Sequence, residues 1–151
     1  MRTTIATPYL LCLAMLLTAV PPALGASKHF RVSHEHFNDY AAKAADLYFR
    51  SGSSAGKNIL SHLTAISAIY AEKAFVVMNL TDILEHMVSK RDKRYVSDRL
   101  ADVKRAILSG LPQDVKLLAD LVENQDNQEI RDLGNLVVNE MRVFERNTEN
   151  L

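Results

Sequence analysis

Three of the five histidines cluster between positions 29 and 36, and these residues are the first whose types could carry chemistry. Neutral imidazole binds zinc and copper, and a carboxylate can complete the set of ligands. His34 and His36 would point the same way in an extended segment, but on a helix they would lie about 200° apart. The pattern therefore predicts a zinc or copper site at His29, His34, Glu35 and His36 only if this segment is not helical. The alternative is the polar, solvated start of a helix.

Other constellations for catalysis are weak. His62 and His86 are isolated, and the paired carboxylates, such as Asp98 and Asp102, fall on polar helix faces. Residues 51–57 (SGSSAGK) lack the order of a phosphate-binding loop, because Asn58 stands where Ser or Thr belongs. There is no Gly-x-Ser-x-Gly motif for a nucleophile. We therefore expect neither an enzyme nor a bound cofactor, apart from the conditional metal site.

Charge is balanced over the chain but is divided along it. The formal net charge is +0, yet residues 90–111 carry +4 and residues 112–151 carry −5. A nucleic-acid binder would show uncompensated positive charge, so we expect no nucleic-acid partner. The two segments are expected to face each other in an antiparallel bundle; the alternative is an anionic partner. The candidate partner-binding residues are Lys90, Arg91, Lys93 and Arg94.

The N-terminal segment has the pattern of a secretory signal peptide. Arg2 supplies the positive charge, residues 9–20 (YLLCLAMLLTAV) the apolar run, and Ala23-Leu24-Gly25 the small residues before a cut. We expect residues 1–25 to be removed, by cleavage after Gly25 or after Ala26. Cleavage would also remove the only cysteine, Cys12.

A mature chain without cysteine cannot be stabilised by disulfides, which small secreted animal domains often need. The signal peptide predicts a secreted protein, and the absence of cysteine favours a bacterial protein of the periplasm. The triplet Asn79-Leu80-Thr81, which fits a glycosylation acceptor, is a counter-signal. No stretch after the signal peptide is expected to be long and apolar enough to span a membrane.

Apolar residues recur at three- and four-residue steps through most of the mature chain, which is typical of helices that bury one face. After a loose arm (26–32), Ser33 would cap a helix over 34–50, and residues 51–56 would form a loop. The last helix is predicted over 127–146, with residues 147–151 fraying. Gly134 lies inside it, and a close helix crossing would explain a glycine there.

The segment from 57 to 109 contains neither Gly nor Pro and allows two interpretations. It could be one helix, or it could break near residues 89–94, where the apolar stripe lapses; we favour the break. Gly110 and Pro112 are expected to end this segment, and Pro112 to begin a short helix.

The sequence thus predicts an all-α protein, an antiparallel bundle of four or five helices formed by a single domain over 26–151. Its function is expected to be the binding of a protein partner or self-association. The alternative is a module that binds a metal through the N-terminal histidines or a small apolar ligand in the bundle core.

Overall fold

The computed structural model describes residues 25–151, and the predicted signal peptide lies outside them except for Gly25. The described chain forms four helices and no strand, which confirms the all-α class. They are α1 (Ala26–Arg50), α2 (Ser54–His86), α3 (Lys90–Glu123) and α4 (Gln128–Glu149).

Neighbouring helices run antiparallel, as the contacts between them show. On α1 and α2, His34 lies against Ala71 while Gly25, at the start of α1, donates its N–H to Glu85 near the end of α2. Tyr70 of α2 reaches Asp114 of α3. The loops that join the helices are only a few residues long, so each helix packs antiparallel to the one before it.

Aromatic rings form the centre of the core. Phe30 and Phe37 of α1, Tyr70 of α2 and Phe144 of α4 are at most 1% exposed. Phe144 meets the other three at centroid separations of 5.7 to 6.1 Å, with steep angles between the planes. Edge-to-face pairs of this kind stabilise a core beyond the burial of their area.

The expected N-terminal arm is wrong, because residues 26–32 form the first turns of α1. Phe30 is 1% exposed and lies edge-on against Phe144, and Ser33, expected as a cap, is buried inside the helix. The helix and its apolar stripe therefore begin about two turns earlier than the sequence interpretation allowed. Gly25, with φ +95°, precedes the helix instead.

The break that was favoured near residues 89–94 is confirmed, and it lies a few residues earlier. Helix α2 ends at His86, and α3 begins at Lys90 after three residues without helical structure. The hydroxyl of Ser89 accepts a hydrogen bond from the N–H of Asp92 at 3.4 Å, which caps α3. The polar run at 89–94 is thus the first turn of a helix.

The expected stop at Gly110 and Pro112 is wrong, since α3 continues through both residues to Glu123. A proline inside a helix loses one hydrogen bond and costs about 3 kcal/mol. Leu111 and Leu118, at 0% and 2% exposure, lie on either side of Pro112 and are buried in the core. Burial of this face outweighs the local cost, because most helical stability in proteins comes from tertiary packing.

The close crossing expected at Gly134 is confirmed. A Cβ built there would lie 2.9 Å from Cγ1 of Val122 and closer still to its Cγ2, so α3 and α4 touch at this point. The cap of α4 is Asn127, whose side chain accepts a hydrogen bond from the N–H of Ile130.

The C-terminus does not fray as expected. The helix runs to Glu149, and the hydroxyl of the buried Thr148 donates to the carbonyl of Phe144.

Candidate functional site

An apolar groove separates α2 from α3. It has a volume of about 370 Å³, within the usual range for small-ligand sites. Its lining residues are Ile69, Glu72, Lys73, Val76, Val103, Ala106 and Ile107. The groove is open to the surface along one side, so it has the form of a trough.

Exposed β-branched residues form a seam along α2, and two of them, Ile69 and Val76, line this groove. Ile69, Val76 and Ile83 repeat every seven residues and are 53%, 43% and 44% exposed. Lys73 and Leu80 lie between them, Ile66 precedes them, and all three are half-buried. The combined spacing of three and four residues is that of a helix seam which packs against another helix. In the described structure no other part of the chain covers the exposed members of this seam.

The α3 wall combines small and apolar residues. Val103, Ala106 and Ile107 line the groove, and at 100° per residue Gly110, Leu117 and Leu121 lie on the same side of α3. Leu117 and Leu121 are 54% and 43% exposed. The α2 residues that line the groove run from Ile69 to Val76, about 10 Å of helix, and the exposed seam continues beyond them to Ile83.

A polar network borders the groove. The hydroxyl of Tyr70, whose ring is fully buried, donates to Oδ2 of Asp114 at 2.7 Å. Nζ of Lys73 lies 4.2 Å from the centre of the Tyr70 ring, a cation–π contact. Thus the cation of Lys73 and the carboxylates of Glu72 and Asp114 lie beside otherwise apolar walls.

Burial shifts the pKa values of Tyr70 and Lys73 in this network. Burial, the hydrogen bond to Asp114 and the charges of Asp114 and Glu145 together raise the pKa of Tyr70 above its usual 10.0. Burial lowers the pKa of Lys73, while the charge of Asp114 acts in the opposite direction. Within residues 25–151, Lys73 forms no salt bridge.

A second titratable cluster joins α1 to α4. Nδ1 of His36 lies 2.8 Å from Oε2 of Glu140, which is 8% exposed, and the other oxygen of Glu140 has no hydrogen-bond partner in the described chain. The Tyr40 ring lies 6.1 Å from that of His36, and burial followed by the charge of Glu140 raises the pKa of Tyr40. None of its side chains lines the α2–α3 groove.

The structure separates the four predicted metal ligands, because their segment is helical. His34 lies against the carbonyl of Ala71 on α2, whereas His36 faces Glu140 on α4. His29 and Glu35 are exposed, and residues 25–151 contain no group of three or more metal-ligating side chains.

Two donors at most, from His36 and Glu140, converge on one point. Metal binding stays a prediction, to be tested by titrating the wild type and a triple His→Ala variant with zinc and copper.

The predicted partner-binding residues lie at the start of α3. All four are exposed, and none takes part in a salt bridge within the described chain: Lys90, Arg91, Lys93 and Arg94. The described chain contains no salt bridge between the basic segment and the acidic segment that were expected to face each other; Nζ of Lys104 donates instead to the backbone carbonyl of Glu149 at 2.8 Å. The basic stretch itself is therefore open to solvent.

The other sequence candidates form no site in the described chain. His62 and His86 are exposed, and His86 contacts only its own helix, at Asp82. The glycosylation triplet lies inside α2, where the hydroxyl of Thr81 is buried and donates to backbone carbonyls.

Helix α2 is long and apolar enough to cross a membrane, which corrects the expectation that no such stretch follows the signal peptide. The 18-residue window that meets this criterion is 33% buried in the bundle. Core helices of soluble proteins also pass such a test, so length and composition do not distinguish the two cases.

A larger cleft, of about 560 Å³, lies between α3 and α4. Charged side chains, among them Arg142, Glu145 and Arg146, form much of its rim. Solvated charges of both signs need no ligand, whereas an exposed apolar seam is unfavourable in water. The α2–α3 groove is therefore the stronger candidate.

Sequence reasoning missed this groove because it assigned the apolar residues of α2 to one core-facing stripe. Ile69, Val76 and Ile83 lie outside that stripe, and their seven-residue repeat was the available signal.

No protein-family model matches the chain, and comparisons with curated proteins and with solved structures find no match.

Proposed function

We propose that this chain is a non-enzymatic helical-bundle protein that binds a protein partner by seating one of its helices in the α2–α3 groove. The observation that carries the proposal is the exposed seam of Ile69, Val76 and Ile83, of which the first two line the open trough. Docking of an amphipathic helix into an apolar groove is a common mode of recognition. Covering a contiguous apolar surface supplies the free energy for it.

Secretion belongs to the same proposal. The sequence pattern of residues 1–25 supports export to the periplasm or the cell exterior. An exported chain would meet its partner there, and its intact mass would identify the cleavage position.

Site-specific photo-crosslinking tests the groove directly. A photo-reactive amino acid replaces Val76 in the chain expressed in its own cells, and a matched variant carries it at Leu136 of α4. The two positions are equally suitable, at 43% and 47% exposure, but Leu136 lies on another face. We expect a discrete protein adduct from position 76 and none from 136. Adducts from both positions, or from neither, would contradict the proposal.

The basic stretch provides a competing interface in the same assay. Lys90→Glu combined with Arg94→Glu reverses two exposed charges without touching the groove. If this double substitution abolishes the adduct formed from position 76, while the separate variant Val76→Glu still binds the partner, the binding surface is the start of α3.

A further inference from the structure

We propose that the occupant of the groove is an amphipathic helix with a carboxylate in the middle of its apolar face, and that this carboxylate pairs with Lys73. The inference rests on the proposed function, and it adds the chemistry of the partner. It follows from the shape of the groove, the small residues in one wall and the position of one cation.

The shape favours a helix over a thin ligand. The groove is open along its length, so an acyl chain lying in it would keep one side exposed to water. An amphipathic helix instead directs its polar face outward and buries only its apolar stripe. The part of α2 that lines the groove, from Ile69 to Val76, is about 10 Å long and would contact about two turns of such a helix, and the exposed seam continues past it to Ile83.

Small residues in α3 leave space for the backbone of such a helix. Ala106 lines the groove, and a Cβ built on Gly110 would meet no atom within 4 Å. Nothing within the described chain therefore requires glycine at position 110, although glycine inside a helix costs about 1 kcal/mol. A helix that approaches closely from outside gives that position a role.

Lys73 supplies the specificity. It is half-buried between Ile69 and Val76 on the seam, and it forms no salt bridge in the described chain. The charge of Asp114 acts on it from beyond salt-bridge distance, and that carboxylate already accepts the hydroxyl of Tyr70. A docked helix would remove the remaining water from its ammonium group. Such a charge is tolerated on burial only when an opposite charge or acceptor meets it. A carboxylate on the occupant satisfies this need and sets the register, as polar seam residues do in coiled coils.

Glu72 lies beside Lys73 on the lining but is exposed at the outer edge of the groove. Water screens its charge, so it contributes little to the choice of occupant. Glu72 therefore serves as the matched control for Lys73.

Synthetic peptides test the inference. Three helical peptides of about 20 residues share an apolar stripe at three- and four-residue steps and differ at one central stripe position, which is Glu, Gln or Lys. Their affinities for the wild-type protein are measured by fluorescence anisotropy. We expect the Glu peptide to bind at least about tenfold more tightly than the Lys peptide, because a hydrogen bond to a charged group is worth that much. Lys73→Met should abolish the preference, and Glu72→Gln should retain it.

The outcomes separate the two proposals. If the Glu and Lys peptides bind the wild type with equal affinity and neither binds Val76→Glu, the role of Lys73 is overturned but the groove remains the binding site. No binding of any peptide, or binding that Val76→Glu does not change, would overturn the groove as well. A wild-type protein that sediments as a dimer, dissociated by Val76→Glu, would identify a second copy as the occupant and overturn the acidic helix.

Discussion

At the scale of single residues, contacts between distant side chains determine the polar chemistry of this molecule. His36 meets Glu140 across 104 positions of sequence, and Tyr70 meets Asp114 across 44. Neither pair could be predicted, because helical periodicity shows which face a residue occupies but not which side chain it meets. The histidine cluster was conspicuous in sequence, yet the helix sends His34 and His36 to different neighbours.

Tyr70→Phe should lower stability at neutral pH and reduce the sensitivity to alkali. Asp114 loses its donor, which costs about 1 kcal/mol. Above pH 10 the unfolded wild type ionises at this tyrosine while the folded protein, with its raised pKa, keeps the proton. The unfolding free energy therefore falls as pH rises, by at most about 1.4 kcal/mol per unit from this residue. Urea unfolding at about pH 9 and about pH 11 measures the slope.

The control for this experiment is Tyr95→Phe, because Tyr95 is 70% exposed. That variant should retain the wild-type slope. An unchanged slope in Tyr70→Phe would show that Tyr70 ionises normally in the folded protein.

At the scale of helices, the sequence predicted which elements exist better than where they end. The stripe along 57–109 and its lapse near residue 89 identified α2 and the start of α3 correctly. Gly110 and Pro112 are strong local stop signals, but the buried residues on both sides keep α3 continuous. The opposite error occurred at α1, where Phe30 belongs to the core although the residues around it are polar.

Two glycines in helix interiors should respond in opposite ways to alanine. Gly134→Ala should destabilise the protein by about 1–3 kcal/mol, since its Cβ would collide with Val122 at the α3–α4 crossing. Gly110→Ala should stabilise it by up to about 1 kcal/mol, because the Cβ enters open space and the helix propensity improves. Urea unfolding of both variants checks the signs, and a stabilised Gly134→Ala would show that the helices can separate at little cost.

At the scale of the whole molecule, the aromatic core gathers α1, α2 and α4, while α2 and α3 leave a trough between them. The sequence predicted a helical bundle, because its periodicity specifies amphipathic helices. The trough depends on the distance between two packed helices, and the apolar pattern of a single helix does not predict that distance. Binding by this surface requires no catalytic residues and accounts for an apolar seam that the bundle itself leaves exposed.

Native mass spectrometry of the protein, purified gently from the compartment where it resides, tests this account most directly. The wild type and Leu136→Glu should each carry a bound protein mass, and Val76→Glu should lose it, because a charge at position 76 interrupts the seam. Leu136 is the matched exposed position outside the groove. A bare wild type, or a bound mass that Val76→Glu retains, would contradict the account.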